Sequence, residues 1–179
     1  MSTLRASRGF TLIEMLVALA IAGVLASMAA PSFKDLIVST RLSSYASNLM
    51  SGAMLARAEA IRRNAVVSLC VSSNGSSCGT GGWEQGWLVM CRSTDMSYCD
   101  PAGANTLVIQ AQGPLASGFR ATEASGLAAI AFDPSGASAS AALVTLCRAT
   151  PAVSTQQRQV RVSATGRPAI SKTTASTCS

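Results

Sequence analysis

Histidine is missing from this chain of 179 residues, and charged residues make up only 12% of it. Without an imidazole, the sequence cannot supply the Ser-His-Asp or Cys-His arrangements of common hydrolases. Its few carboxylates are scattered, and the Gly-rich stretch at 79–82 lacks the Lys-Ser/Thr that follows in a phosphate-binding loop. We therefore predict that the chain is not an enzyme and that it requires no cofactor.

Aromatic residues are also scarce, at 4%, and Cys-x-x-Cys pairs are absent, so the usual zinc spacings do not occur. Six cysteines are nevertheless present, all after the first 65 residues. An even number in an exported domain predicts disulfides rather than a metal site. Several pairings are open, including cross-pairing such as Cys78 with Cys99. Proximity along the chain favours three bonds: Cys70–Cys78, Cys91–Cys99 and Cys147–Cys178.

Charge is almost absent from the 21 residues between Phe10 and Ala30, where Glu14 is the only ionisable side chain. As a helix this run is about 31 Å long, enough to cross a bilayer core of roughly 30 Å. Arg5 and Arg8 precede the run and place its N-terminal end in the cytoplasm by the positive-inside rule. A carboxylate is costly inside a membrane, so we expect Glu14 to have a partner.

The segment Gly9-Phe10-Thr11-Leu12-Ile13-Glu14, followed by the apolar run and Pro31, resembles the processing signature of the type IV pilin and pseudopilin family. The resemblance implies cleavage between Gly9 and Phe10 by a prepilin peptidase, followed by methylation of the new Phe10 amine. It also implies that Glu14 pairs with the Phe10 amine of a neighbouring subunit during assembly.

Two other interpretations of the N-terminal region compete with this one. An ordinary secretory signal peptide would be cleaved near Ser27-Met28-Ala29, and a plain single-pass anchor would give Glu14 no role. The run is longer than the apolar core of about 7–15 residues in a signal peptide. Neither interpretation accounts for Gly9 directly before the Phe-Thr-Leu-Ile-Glu run.

Beyond Pro31 the sequence predicts a continuing helix to about Asn64 and then a series of strands. The apolar stripe expected to pack on the head consists of Phe33, Leu36, Ile37, Tyr45, Leu49, Ala53, Ala56 and Ala60. Strands are expected at 65–71, 86–91, 106–110, 127–132, 143–148 and 159–163. A type I turn is predicted at Asp133-Pro134-Ser135-Gly136. The predicted fold class is α+β, with a long N-terminal helix, its first half transmembrane, packed on an antiparallel β-sheet head.

The predicted organisation has a leader at 1–9, a transmembrane or filament-core segment at 10–30, an amphipathic helical segment at 31–64 and a disulfide-bonded head at 65–179. Several segments follow the order of the FimT/FimU branch of minor pilins and its secretion relative GspH, which this chain resembles. They are Leu55–Asn64 at the end of the helix and, in the head, Val66–Cys70, Trp83, Gly86-Trp87-Leu88-Val89, Phe132–Gly136 and Val162–Arg167.

This second resemblance implies a structural minor pilin of a type IV pilus, active in the initiation or tip complex. The implied partners are other minor and major pilins, the prepilin peptidase and the inner-membrane assembly platform. The implied location is a single pass in the inner membrane with a periplasmic head, and then the pilus at the cell surface. A GspH-like pseudopilin of type II secretion is the alternative.

The C-terminal part of the chain is basic, with five Arg and Lys and no acidic residue between Arg148 and Ser179. The whole chain carries +6, which falls to +4 when the leader with Arg5 and Arg8 is removed. Such a cluster can bind the phosphates of DNA, so DNA uptake is a further alternative. The candidate DNA-binding residues are Arg158, Arg161, Arg167 and Lys172.

Some FimT-like proteins, which this chain resembles, take up DNA through a Gly-Arg-x-Arg motif. Here Gly166-Arg167-Pro168-Ala169 keeps the first Arg and lacks the second. No aromatic residue lies among the basic ones, so base stacking has no platform. We therefore favour a solvated basic edge, or one that matches an acidic neighbour in the pilus, over a DNA site.

Overall fold

The structure, a computed structural model, describes residues 10–92, 99, 107–151, 155–175 and 177–178. Helix α1 spans Leu12–Arg63 and a 3₁₀ turn spans Trp83–Gln85. The strands are β1 (Val67–Val71), β2 (Trp87–Cys91), β3 (Val108–Gln112), β4 (Phe119–Glu123), β5 (Ala129–Phe132), β6 (Ala142–Arg148), β7 (Gln156–Val162) and β8 (Pro168–Thr174). The chain divides into two units, the first ending at Ile37 and the second beginning at Val38.

The first unit is the N-terminal part of α1, and its described apolar side chains are exposed to solvent. Among them are Phe33, Leu36 and Ile37, which are 62%, 61% and 54% exposed. The prediction that these three residues belong to the packed stripe is therefore wrong, because no second element covers them in the described part of this unit. Within the described residues, no helical stretch combines the length and the apolarity needed to cross a membrane.

In the second unit, one face of α1 is buried against the head. The buried residues follow three- and four-residue steps: Val38, Leu42, Ala46, Leu49, Ala53, Ala56 and Ala60. The predicted stripe is thus correct from Tyr45 onward, since Tyr45 is partly buried and packs against the same core. The helix ends as predicted near Asn64, which adopts φ 51° just after Arg63. Asn tolerates this left-handed conformation, which ends many helices.

The eight strands form two four-stranded antiparallel sheets rather than a single sheet. The strand orders are β3-β2-β1-β5 and β4-β6-β7-β8. The α+β class with a helix on antiparallel strands is confirmed. Strands β1, β2, β3, β5, β6 and β7 overlap the predicted strands, whereas β4 and β8 were not predicted.

Composition explains why these two strands are hard to predict. Strand β4 alternates Phe119, Ala121 and Glu123 inward, and the inward carboxylate breaks the apolar pattern. The Glu123 carboxylate is buried, yet it accepts three backbone N–H bonds, from Ser125, Leu127 and Leu143. Strand β8 begins with a proline and is largely exposed, which only an edge strand tolerates.

Candidate functional site

Helix α1 begins with a capping box made by Thr11 and Glu14. The backbone N–H of Glu14 donates to Thr11 Oγ1 at 3.3 Å, and the backbone N–H of Thr11 donates to Glu14 Oε2 at 2.9 Å. The Thr11 hydroxyl also lies 3.0 Å from Glu14 Oε2. Two backbone N–H groups at the helix start, which have no partner in the helix, are thereby satisfied. The Thr-x-x-Glu spacing in the sequence signals this motif, although the capping box was not among the predicted features.

The capping box lies beside an exposed apolar surface. Phe10 is 84% exposed and Leu12 is 78% exposed. Apolar side chains of the same helix remain exposed as far as Leu25. A continuous apolar surface of this kind marks a site of contact with lipid or protein. Gly9, the predicted cleavage residue, lies outside the described residues.

Three disulfides join Cys70 to Cys78, Cys91 to Cys99, and Cys147 to Cys178. These are the pairs that proximity along the chain favours. The third bond fixes the C-terminal segment to β6. The Gln157 side chain reinforces it by donating to the Thr177 carbonyl at 2.9 Å. The end of the chain is therefore held against the second sheet by one covalent bond and one hydrogen bond.

The register of the second sheet separates the predicted DNA-binding residues. Arg158 of β7 is directly opposite Lys172 of β8, and Arg161 is directly opposite Ala169. Since side chains alternate along a strand, Arg158 and Lys172 lie on the face toward α1. Arg161 lies on the other face. The structure thus brings together Arg158 and Lys172, and it places Arg161 apart from both.

Arg158 is only 3% exposed, so it does not belong to an exposed basic surface. Its guanidinium donates to Ser39 Oγ at 2.9 Å, to Ser43 Oγ at 3.2 Å and to the Gln157 carbonyl at 3.0 Å. The inclusion of Arg158 in an exposed basic cluster is therefore wrong. The alternation of side chains along β7 predicts this burial, because residue 158 lies on the same face of the strand as the buried Val160 and Val162.

Arg167 occupies the turn between β7 and β8 and is exposed. The turn is closed by a bond from the Gly166 N–H to the Ser163 carbonyl at 2.8 Å. Gly166 has φ 72°, and a Cβ added there would lie 1.9 Å from the Gly136 carbonyl oxygen. Only glycine fits at this position, so the turn is held against the Asp133–Gly136 turn and Arg167 is presented to solvent.

A third exposed arginine shares the outer face with Arg161. Arg120 of β4 is directly opposite Cys147 of β6. The pairing of β6 with β7 places the Arg161 side chain on this same face of the sheet. The described residues on this face of the four strands include no carboxylate, because the Glu123 side chain points inward. The exposed positive charge of this sheet therefore lies largely on its outer face and at the β7–β8 turn.

Comparison with known proteins supplies the context of these features. Residues 45–166, more than half of the chain, match the family described as Type II transport protein GspH. Residues 4–30 match the prokaryotic N-terminal methylation motif. The second match covers residues 4–9 of the predicted leader, the capping box and the apolar run.

Among solved structures, the chain is similar to the type IV minor pilin FimU of Pseudomonas aeruginosa strain PAO1 in two crystal forms. The identity is 16% in both, the TM-scores are 0.59 and 0.57, and the matches cover 79% and 77% of this chain and 97% and 100% of FimU. The minor pseudopilin EpsH of the Vibrio cholerae Type 2 Secretion System matches at 10% identity with a TM-score of 0.46, over 75% of this chain and 97% of EpsH.

The N-terminal motif and the head match follow one another along one chain, at residues 4–30 and 45–166. The likeness to FimU adds that the head has the same fold. The chain belongs to the GspH family, as a type IV minor pilin or pseudopilin that carries a prokaryotic N-terminal methylation motif.

Proposed function

We propose that the chain is a structural minor pilin of a type IV pilus, acting in the complex that initiates assembly and lies near the tip. The prepilin peptidase would cleave after Gly9, and Phe10 would be methylated. Before assembly, residues 10–30 would anchor the chain in the inner membrane with the head in the periplasm. The observation that carries the proposal is the methylation motif on the same helix that packs into a GspH-type head.

The exposed surfaces agree with a subunit that is incomplete alone. The apolar side chains from Phe10 to Leu25 need a bilayer before assembly and other pilin helices afterwards. The three disulfides suit a head that is exported to an oxidising compartment. The partners we propose are other minor and major pilins and the inner-membrane assembly platform. The fold shared with FimU supports the pilus over other settings.

Deletion of the gene in its native cell tests the proposal. We expect fewer surface pili in the sheared fraction, restored by the wild-type gene, and unchanged release of type II substrates. Loss of secretion with normal piliation would instead assign the chain to a type II secretion pseudopilus, the alternative that the family name suggests.

DNA binding is a second candidate function, and one observation favours it. Ala169 stands where a Gly-Arg-x-Arg motif has its second Arg, and Arg161 lies directly opposite Ala169 on the same face. Since directly paired residues have side chains within contact distance, Arg161 would supply the second positive charge beside Arg167. The candidate site therefore contains Arg161 and Arg167 and excludes Arg158 and Lys172.

A further inference from the structure

Arg158 is a buried cation without an acidic partner among the described residues. Its three hydrogen-bond acceptors are all neutral: two serine hydroxyls and one backbone carbonyl. No Asp or Glu within the described ranges forms a salt bridge with it. A guanidinium stays charged in proteins, and buried charges are ordinarily paired with an opposite charge. The fold therefore retains a positive charge that its described residues do not neutralise.

Lys172 adds a second positive charge to the same place. It is directly opposite Arg158 in the β7–β8 pair, on the same face. Like charges at directly opposite positions destabilise an antiparallel pair. Both residues line an open depression of about 580 Å³, together with Gln156, Thr173 and Thr174. A sheet selected only for stability would not place two cations together in this way.

The described residues leave some donors of the guanidinium for a ligand. The guanidinium carries five N–H bonds, of which the serines and the Gln157 carbonyl take three. The Lys172 ammonium is exposed at the rim and supplies three more donors. One carboxylate would neutralise only one of the two cations, whereas a phosphate monoester carries close to two negative charges. A phosphodiester of DNA carries one negative charge, so it too would neutralise only one of the two cations.

We propose that Arg158 and Lys172 form a phosphate-binding site, specific for inorganic phosphate or a terminal phosphate monoester. Ser39 and Ser43 hold the guanidinium in place from α1, and Lys172 closes the site at the sheet edge. The phosphate comes either from solution or from a lipid whose headgroup is a phosphate monoester, such as phosphatidic acid. The site lies on the face opposite Arg161, so it is separate from the candidate DNA surface.

The test is calorimetric titration of the full chain in a neutral detergent with sodium phosphate, against sodium chloride of the same ionic strength. We expect phosphate to bind and to raise the unfolding temperature beyond the effect of chloride. Lys172→Ala should raise the Kd for phosphate about tenfold, the loss expected for one charge-assisted contact. Arg161→Ala, an equal loss of charge from the same sheet, is the matched control and should leave the Kd unchanged.

Arg158→Gln should abolish phosphate binding. Because Arg158 is buried, this variant can unfold, and the exposed Lys172→Ala variant keeps the proposal testable. Equal losses in Lys172→Ala and Arg161→Ala would show a general charge effect and overturn the proposal. A wild-type chain that responds to phosphate no more than to chloride would overturn it as well.

Two further arms identify the source of the anion. The first compares nanodiscs that contain phosphatidic acid with nanodiscs of pure phosphatidylcholine. If phosphatidic acid raises the unfolding temperature of the wild type but not of Lys172→Ala, the site binds a lipid headgroup. Binding of soluble phosphate without this lipid effect assigns it to a free phosphate. Acetate that binds as tightly as phosphate overturns the choice of phosphate and points to an acidic side chain of a neighbouring subunit.

Discussion

The Glu14 carboxylate accepts a hydrogen bond from the backbone N–H of Thr11 at 2.9 Å, so the one charge in the apolar run has a partner inside its own chain. Assembly through a Phe10 amine of a neighbouring subunit would require this carboxylate to serve a second partner. The local bond and the proposed intersubunit bond make different demands on the side chain: capping needs an acceptor, and pairing needs a charge.

Glu14→Gln separates these two demands. Glutamine at this position still accepts from the Thr11 N–H, so the capping box survives. We expect the variant to be cleaved and to reach wild-type levels in the membrane, but to be reduced in the sheared pilus fraction. Glu14→Ala, which removes both functions, should be at least as defective. Normal incorporation of Glu14→Gln would mean that capping, and not charge pairing, is what the residue provides.

The N-terminal half of α1 was predictable because one short motif carries most of the information. The residues just after Pro31 show the limit of periodicity as a guide: Phe33, Leu36 and Ile37 fit the apolar stripe, yet they are exposed. Periodicity shows which residues share a face of a helix and cannot show where the covering element stops. The true stripe in the head includes small residues such as Ala46, whose burial is decided by the closeness of the sheets.

The basic C-terminal region shows that sequence alone also does not place the residues of a functional site. Five positive charges without an acid predicted one surface, but strand alternation distributes Arg158 and Arg161 to opposite faces. The register between β7 and β8 depends on the turn at Gly166, and β8 was not expected from its composition. Composition therefore predicted the charge of the region correctly and its geometry incorrectly.

The predicted turn at Asp133 leads us to expect that the stability of the fold depends on pH. Hydrogen bonds from the Ser135 hydroxyl, at 2.6 Å, and from the backbone N–H groups of Ser135 and Ala137 lower the pKa of the Asp133 carboxyl below its ordinary 3.8. A carboxyl whose pKa is lower in the folded than in the unfolded state stabilises the fold at pH values above its unfolded-state pKa. This stabilisation is lost as the pH falls through the folded-state pKa.

Carboxyl NMR titration should therefore place the Asp133 midpoint below 3.8. Ser135→Ala removes the largest cause and should move the midpoint upward. The variant should also be less stable than wild type above about pH 4, and the difference should disappear as the pH falls and the carboxyl is protonated in both proteins. An unchanged midpoint in Ser135→Ala would show that the backbone donors alone hold the charge.

The three disulfides should differ in their contribution to stability. Cys147–Cys178 closes a separation of 31 residues and Cys70–Cys78 a separation of 8. Chain entropy predicts about 3–4 kcal/mol for the longer loop and about 2.5 kcal/mol for the shorter one. Each of these two bonds joins one buried and one half-buried cysteine, so replacing both partners by alanine is a matched comparison. Urea unfolding of the two double variants should show the larger loss for Cys147–Cys178, and the reverse order would mean that native packing outweighs loop entropy.

The opposition of Arg161 and Ala169 gives the sharpest test of DNA binding. If Arg161 and Arg167 each contact a phosphate, replacing both by alanine should lower the slope of log K against log salt by about 1.8. Ala169→Arg places a third positive charge directly beside Arg161 and should strengthen binding to duplex DNA at low salt. Lys172→Ala removes a positive charge from the other face and is the matched control. Gel-shift titration of the full chain in neutral detergent, across a salt series, measures all four proteins. If wild type and Ala169→Arg both fail to shift DNA at low salt, or if Lys172→Ala weakens binding as much as the double variant does, the outer face is not a DNA site.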